Sequence, residues 1–173
     1  MTLDRLSIAF FLIALLAMPL AALAERADRD QPVNIEADRV TVDDRSKTHT
    51  FEGNVILTQG SLSIRGERLV VIQGADGFET GIATGGHDGL ARFRQKREGA
   101  DQYVEGEAVR IEYDTRSEQA KLFERAMVRS GGDEVRGDYI EYDALTEQYA
   151  ARSQRSAGSD GRVRAIIQPR GGN

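Results

Sequence analysis

Four times along the chain one pattern of eight residues returns: apolar, any, small, acidic, any, apolar, any, apolar. The copies are Ile35–Val42, Ile64–Val71, Val104–Ile111 and Val135–Tyr142, and successive copies start 29, 40 and 31 residues apart. Side chains alternate faces along a β-strand, so Ile35 shares a face with Ala37, and Val40 shares one with Val42, but the two pairs have opposite parity. Both pairs reach one core only if the strand turns a corner or bulges at the small-acidic step. Ala37, Gly66, Gly106 and Gly137 leave room for that bend, and the acidic residue after each stays in water.

Between the copies lie further strand-like runs, Phe51–Thr58 and Leu122–Arg129, reached through polar turns such as Asp43-Asp44-Arg45-Ser46 and Asp114-Thr115-Arg116-Ser117. A second echo relates Ile111-Glu112-Tyr113-Asp114, followed by Glu118-Gln119, to Ile140-Glu141-Tyr142-Asp143, followed by Glu147-Gln148. No stretch of the later chain keeps apolar residues at helical spacing for more than two turns. The expectation is an all-β domain, a stack of bent hairpins forming two facing sheets with apolar side chains between them. Such a stack exposes unpaired backbone at its first and last layers, here near Val33–Ile35 and near Arg162–Ile167. Head-to-tail pairing between copies and a closed monomer with tails folded over the edges both satisfy this pattern.

Residues 1–24 are of another kind. Arg5 and the chain amine precede an apolar run from Leu6 to Ala17, Pro19 breaks it, and Ala22-Leu23-Ala24 has small residues where a signal peptidase reads them. The segment reads as an export signal cleaved before Glu25, with an uncleaved membrane anchor as the alternative. The domain boundaries that follow are 1–24 signal, 25–169 folded domain and 170–173 short tail.

The chain of 173 residues carries a net charge of −5, which disfavours a general nucleic-acid binder, and it has no cysteine for disulfides, zinc-thiolate sites or thiol catalysis. Its two histidines, His49 and His87, fall in different expected turns and match no nucleophile or metal spacing. The glycine-containing stretches are not followed by a helix, which removes phosphate-loop readings. No enzyme activity, metal or cofactor is expected.

The stretch Gln31-Pro32-Val33-Asn34-Ile35-Glu36-Ala37-Asp38, then Phe51-Glu52-Gly53-Asn54-Val55-Ile56-Leu57-Thr58-Gln59-Gly60 and Leu62-Ser63-Ile64, resembles the OstA-like family. The likeness continues through Ala91–Gln95, Val104-Glu105-Gly106 and Gly137–Ile140 to Pro169; the segment 74–89 has no counterpart in it and reads as a loop. The resemblance implies an open antiparallel β-jellyroll, V-shaped, that polymerises end to end in the periplasm. It further implies lipopolysaccharide as cargo, with acyl chains inside the groove, and a bridge from LptC at the inner membrane to LptD at the outer membrane. Two other readings stay open: a membrane-anchored docking subunit resembling LptC, and an envelope glycan-binding β-domain.

With a groove implied, parity and the repeat nominate its lining. Val33, Ile35, Val40 and Val42 belong to the N-terminal mouth; Val55, Leu57, Leu62, Ile64, Leu69, Val71 and Phe93 to the middle; and Val109, Ile111, Tyr113, Ile140 and Tyr142 to the C-terminal part. The resemblance singles out Val33, Ile35, Phe93 and Tyr113 as acyl contacts. In the basic run Arg92, Arg94, Lys96 and Arg97, the first two are candidate phosphate contacts, although alternation with Phe93 puts them on the outer face.

Overall fold

The structure is a computed structural model, and it describes residues 31–75, 77–97, 100–156 and 159–169. The expected signal at 1–24 and the tail from 170 lie outside these residues. Strands dominate: β1 (Asn34–Glu36), β2 (Arg39–Asp43), β3 (Thr48–Gln59), β4 (Leu62–Gly74), β5 (Gly77–Thr84), β6 (Ala91–Lys96), β7 (Tyr103–Ala108), β8 (Arg110–Asp114), β9 (Gln119–Ser130), β10 (Asp133–Asp143), β11 (Gln148–Arg152), β12 (Arg155–Ser156), β13 (Ser159–Asp160) and β14 (Arg164–Ile166).

Four of these strands, β3, β4, β9 and β10, are long enough to belong to two sheets. One half of each pairs in the order β2-β3-β4-β5-β8-β9-β10-β11, and the other half in the order β1-β3-β4-β6-β7-β9-β10-β14, all antiparallel. The two layers are therefore joined by continuous backbone along one side, where the strands bend. Along the opposite side only hairpin tips face one another. This is the two-layered stack of bent hairpins expected from the repeat, and the open β-jellyroll that the family resemblance implies.

The bends are bulges. Gly53 and Asn54 of β3 stand opposite the single residue Glu67 of β4, and Glu124 and Arg125 of β9 stand opposite the single residue Asp138 of β10. Both doublets are left-handed, with φ of 81° and 48° in β3 and of 62° and 53° in β9. At Gly53 the conformation suits glycine, and space demands it as well, since a Cβ there would lie 2.2 Å from Asp38 Oδ2. The Asp38 amide donates to the Gly53 carbonyl and the Val109 amide to the Glu124 carbonyl, each at 3.0 Å, which ties the broken strands β1/β2 and β7/β8 to the two bulges.

These equivalences reveal a duplication. Asp38 matches Val109, Asp43 matches Asp114, Gly53 matches Glu124 and Glu67 matches Asp138, every pair 71 residues apart. The third sequence copy is thereby corrected: its bend falls at Val109, two residues beyond Gly106-Glu107. Inward residues run Val104, Gly106, Ala108 and then Ile111, Tyr113, and Val109 sits half-buried at the corner instead of facing the core. The segment 74–89 is also corrected, because it holds β5, a full sheet member hydrogen-bonded to β4 and β8. Its inward positions Gly81 and Ala83 are too small to announce a strand. Phe78 lies against Gly81, where a Cβ would meet its ring at 3.0 Å. His49 belongs to β3 and not to a turn.

The core lies between the layers, in rows that cross the strands. One row runs Phe51, Leu69, Ala83, Ile111, Leu122, Ile140, and its counterpart in the other layer runs Leu57, Ile64, Phe93, Gly106, Val128, Val135. Leu57, Ile111, Leu122 and Ile140 have no exposed surface at all. Each such side chain contributes about 1.5–3 kcal/mol through removal from water.

Three hairpin tips share a second device. Asp43 Oδ1 accepts from the amides of Arg45 and Ser46 at 2.9 and 3.3 Å, Asp114 Oδ1 from those of Arg116 and Ser117 at 3.1 and 2.8 Å, and Asp143 Oδ1 from that of Thr146 at 2.9 Å. Hydrogen bonds from Ser46 to Asp43, from Ser117 to Asp114 and from Thr146 to Asp143 hold all three carboxyls below the usual carboxylate range. A lowered folded pKa means stability that is complete above the unfolded value and is lost as pH falls through the folded one. Urea midpoints should therefore hold steady from neutral pH down to about pH 4 and drop below it. Asp114→Asn with Asp143→Asn should flatten that drop; an unchanged acid slope in the double variant would sink the assignment.

Candidate functional site

Between the layers the molecule is unevenly filled. At the end built by β1, β3, the second half of β4, the start of β5 and the end of β8 there is a cavity of about 530 Å³, lined by Val33, Ile35, Phe51, Val71, Phe78 and Tyr113, with His49, Gln59, Gln73 and Thr115 at its margin. At the other end a cavity of about 590 Å³ is more polar, with Arg97, Gln102, Ser130, Asp133 and Glu147 around Val104, Tyr142 and Tyr149. Both lie within the size range of small-molecule sites.

Between these mouths, side chains close the interior. Phe93, 2% exposed, projects from β6 across to Tyr142 of the facing layer, with ring centroids 6.1 Å apart. It lies over its cross-strand neighbour Gly106, where a Cβ would sit 2.1 Å from the Phe93 ring. Burial pushes the Tyr142 phenol up to about 12, with the Glu147 carboxylate adding to the effect, so this ring stays neutral.

The nominated groove residues divide accordingly. Val33, Ile35, Val71 and Tyr113 line the first mouth and Tyr142 the second. Val55, Leu57, Leu62, Ile64, Leu69, Phe93, Ile111 and Ile140 are packed core. Val40 and Val42 share the inner face of their layer, opposite Phe51 and His49, but β2 is an edge strand and leaves them 53% and 51% exposed. Val109 departs from the lining for the reason given above. Phe51, Phe78 and Tyr149 at the mouths were not nominated. For Phe51 the signal was present, since it alternates in phase with Val55 and Leu57 across the bulge; Phe78 was hidden in the supposed loop.

Arg92 and Arg94 lie on the outer face, as alternation required. They pair across the strands with Glu107 at 3.4 Å and Glu105 at 3.2 Å, and Arg94 also lies 3.5 Å from the centre of the Tyr103 ring. With Arg65, Arg129 and Met127 they line a depression of about 480 Å³ on the back of the sheet. His87 contacts Asp88 at 3.3 Å in an exposed turn, and among the described residues no three His, Asp or Glu side chains are placed to hold a metal ion. The interior thus offers an apolar mouth at one end and a more polar one at the other.

Residues 34–148 match the family model described as LptA/(LptD N-terminal domain) LPS transport protein. The lipopolysaccharide export system protein LptA of Escherichia coli is 30% identical over 158 residues, covering 90% of this chain and 81% of that protein. The lipopolysaccharide export system protein LptH of Pseudomonas aeruginosa is 27% identical over 172 residues, covering 96% and 95%. The crystal structure of LptH, described as the LptA homologous periplasmic component of a lipopolysaccharide transport device, superposes with a TM-score of 0.75 at 25% identity, covering 83% of this chain and 99% of that one.

The tight seat of Phe93 on Gly106 generates a stability test. Gly106→Ala should cost about 1–3 kcal/mol in urea unfolding, the usual penalty for overpacking. Combining it with Phe93→Leu should give less than the sum of the single losses, and strict additivity would count against the contact.

Proposed function

The chain belongs to the LptA/(LptD N-terminal domain) family of lipopolysaccharide transport proteins, and from that premise we propose that it is a periplasmic bridge protein which carries lipopolysaccharide through the space between its sheets. The observation that carries the reading is an apolar interior that opens into an unfilled cavity at each end of the stack. Residues 1–24 act as its export signal, 25–169 as the carrier domain and 170–173 as a short tail. No bond is made or broken in the task.

Energetics explain why such an interior suits a lipid. Each methylene withheld from water is worth about 0.8 kcal/mol, so a multi-acyl lipid does not cross an aqueous compartment unaided at a useful rate. The first mouth offers acyl chains the aliphatic side chains of Val33, Ile35 and Val71 beside the rings of Phe51, Phe78 and Tyr113, apolar contacts that fix no single position. Passage through the middle requires Phe93 to leave its seat over Gly106. Direction must come from an energy source elsewhere.

The duplication supports end-to-end assembly, and LptC and LptD as the flanking partners follow from the family resemblance alone. Within the chain, the first half ends in β5 and β6, which lie on β4, and the second half begins with β8 and β7, which pair with them. The second half ends in β11 and β14, which lie on β10 as β5 and β6 lie on β4. Its outer sides are the counterpart of an internal junction that already accepts a β1/β2-like pair. Apolar side chains at both ends are left in water, including Val40, Val42, Tyr149 and Ile166.

Two measurements test the reading. A photo-crosslinking residue at Ile35 should capture lipopolysaccharide in cells while one at the outward neighbour Glu36 should not; a stably folded protein without adducts at Ile35 would leave docking as its role. The register of the internal junction, Ala83 opposite Ile111, translates into Ala151 of one copy opposite Val40 of the next. Because the chain has no cysteine of its own, Val40→Cys with Ala151→Cys should form intermolecular disulfides and ladders of cross-linked copies. Monomers alone under oxidation would exclude this junction.

A further inference from the structure

The two layers share backbone along the bends, whereas along the opposite side, among the described residues, their hairpin tips meet through side chains. One bridge there is charged. Arg97 follows β6, and its amide donates to the Gln102 carbonyl at 2.8 Å, which closes the tip of that layer. Its guanidinium reaches across to Glu147, in the tip between β10 and β11 of the facing layer. Nε donates to Oε1 at 3.2 Å, Nη2 bonds Oε2 closely, and Nη1 donates to Gln102 Oε1 at 3.4 Å. Glu147 holds a left-handed conformation with φ of 54° in that tip. Both side chains are about 30% exposed, and both line the polar mouth of about 590 Å³ beside Tyr142 and Ser130.

We propose that the Arg97–Glu147 pair is a clasp across the open side of the molecule which cargo releases, and that Arg97 is the binding residue for a phosphate group on the headgroup of an acylated glycolipid. The inference rests on the lipid-carrying reading above. A two-pronged guanidinium that grips a carboxylate presents the same donors to two phosphate oxygens, and a phosphate monoester carries more charge than a carboxylate. Acyl chains seated between the sheets leave their polar headgroup at the open side, because sugar and phosphate are costly to bury unpaired. Arg97 stands at that boundary. Arg92 and Arg94 stand behind the sheet, with its backbone between them and the interior, and each is already paired with a glutamate. Transfer of Arg97 from Glu147 to a phosphate breaks the bridge between the layers and frees the open side to part as chains enter.

The test is equilibrium binding by the purified, signal-less chain of lipid A bearing both glucosamine phosphates, and of the same lipid with the phosphates removed. Arg97→Gln should weaken the phosphorylated lipid about tenfold and leave the dephosphorylated one nearly unchanged. Glu147→Gln removes the competing carboxylate and should tighten the phosphorylated lipid severalfold; it also serves should Arg97→Gln fail to fold. Equal losses for both lipids in Arg97→Gln, or weaker phosphorylated-lipid binding in Glu147→Gln, would overturn the clasp while leaving lipid carriage intact. Failure of the unaltered protein to bind either lipid would overturn the carrier reading itself. Inorganic phosphate should compete only weakly; competition by it as effective as that by the lipid would assign Arg97 to free phosphate instead of a headgroup.

Discussion

Everything in this molecule depends on a strand that must change faces partway along its length. A residue pattern with apolar positions of one parity before a small-acidic step and of the other parity after it has no flat solution, because one half would always point its apolar side chains into water. The strands that carry the pattern, β4 and β10, switch faces at Gly66-Glu67 and Gly137-Asp138, while their partners β3 and β9, whose inward residues keep one parity, bulge by one extra residue, so that the paired strands turn into the second layer together. Since β3, β4, β9 and β10 all bend in this way, the two layers share their strands along one side and have no common backbone along the other. Core, open side and stacked order of strands are consequences of that one solution repeated.

The duplication carries the same logic to the next level. Each half presents a receiving pair of strands at its end and a broken pair at its beginning, with bulges held by equivalent amide-to-carbonyl hydrogen bonds from Asp38 and Val109. A fold built this way has no natural closure. Its edges are ended by exposed β2 on one side and by β11 and β14 on the other, and growth by a further unit repeats a junction that the chain already contains.

Filling is where the halves differ. Where the first half has Ile35 at the equivalent inward position, the second has Gly106, and the Phe93 ring occupies the space so released. The middle is thereby closed by packed side chains, while a cavity remains at each mouth. A lipid carrier needs this combination, since an interior left wholly open would collapse or fill with water, and one packed throughout would admit nothing. Exposed charged pairs on the outer faces, such as Arg94 with Glu105, contribute little to stability, so their part is to keep the backs of the sheets in water.

By itself the sequence determined the fold class and most of the bends. Strand alternation, the small-acidic corners at Ala37, Gly66 and Gly137, and the aspartate tips are local signals, and local geometry obeys them. The family resemblance carried by the Phe51–Gly60 stretch was likewise legible from residues alone. The third bend was misplaced by two residues because Val104-Glu105-Gly106-Glu107 imitates the pattern, while the true corner at Val109 lacks an acidic residue; only the cross-strand register, 71 residues from Asp38, decides between them. β5 escaped notice because its inward side chains are small, and their smallness makes sense only once Phe78 is seen to lie on Gly81. Which nominated residues line space and which fill it, the exposure of Val40 and Val42 at an edge, and the meeting of Arg97 with Glu147 were decided by tertiary structure. Each of these depends on which distant strand lies opposite, and a pattern confined to one strand holds no record of its neighbour.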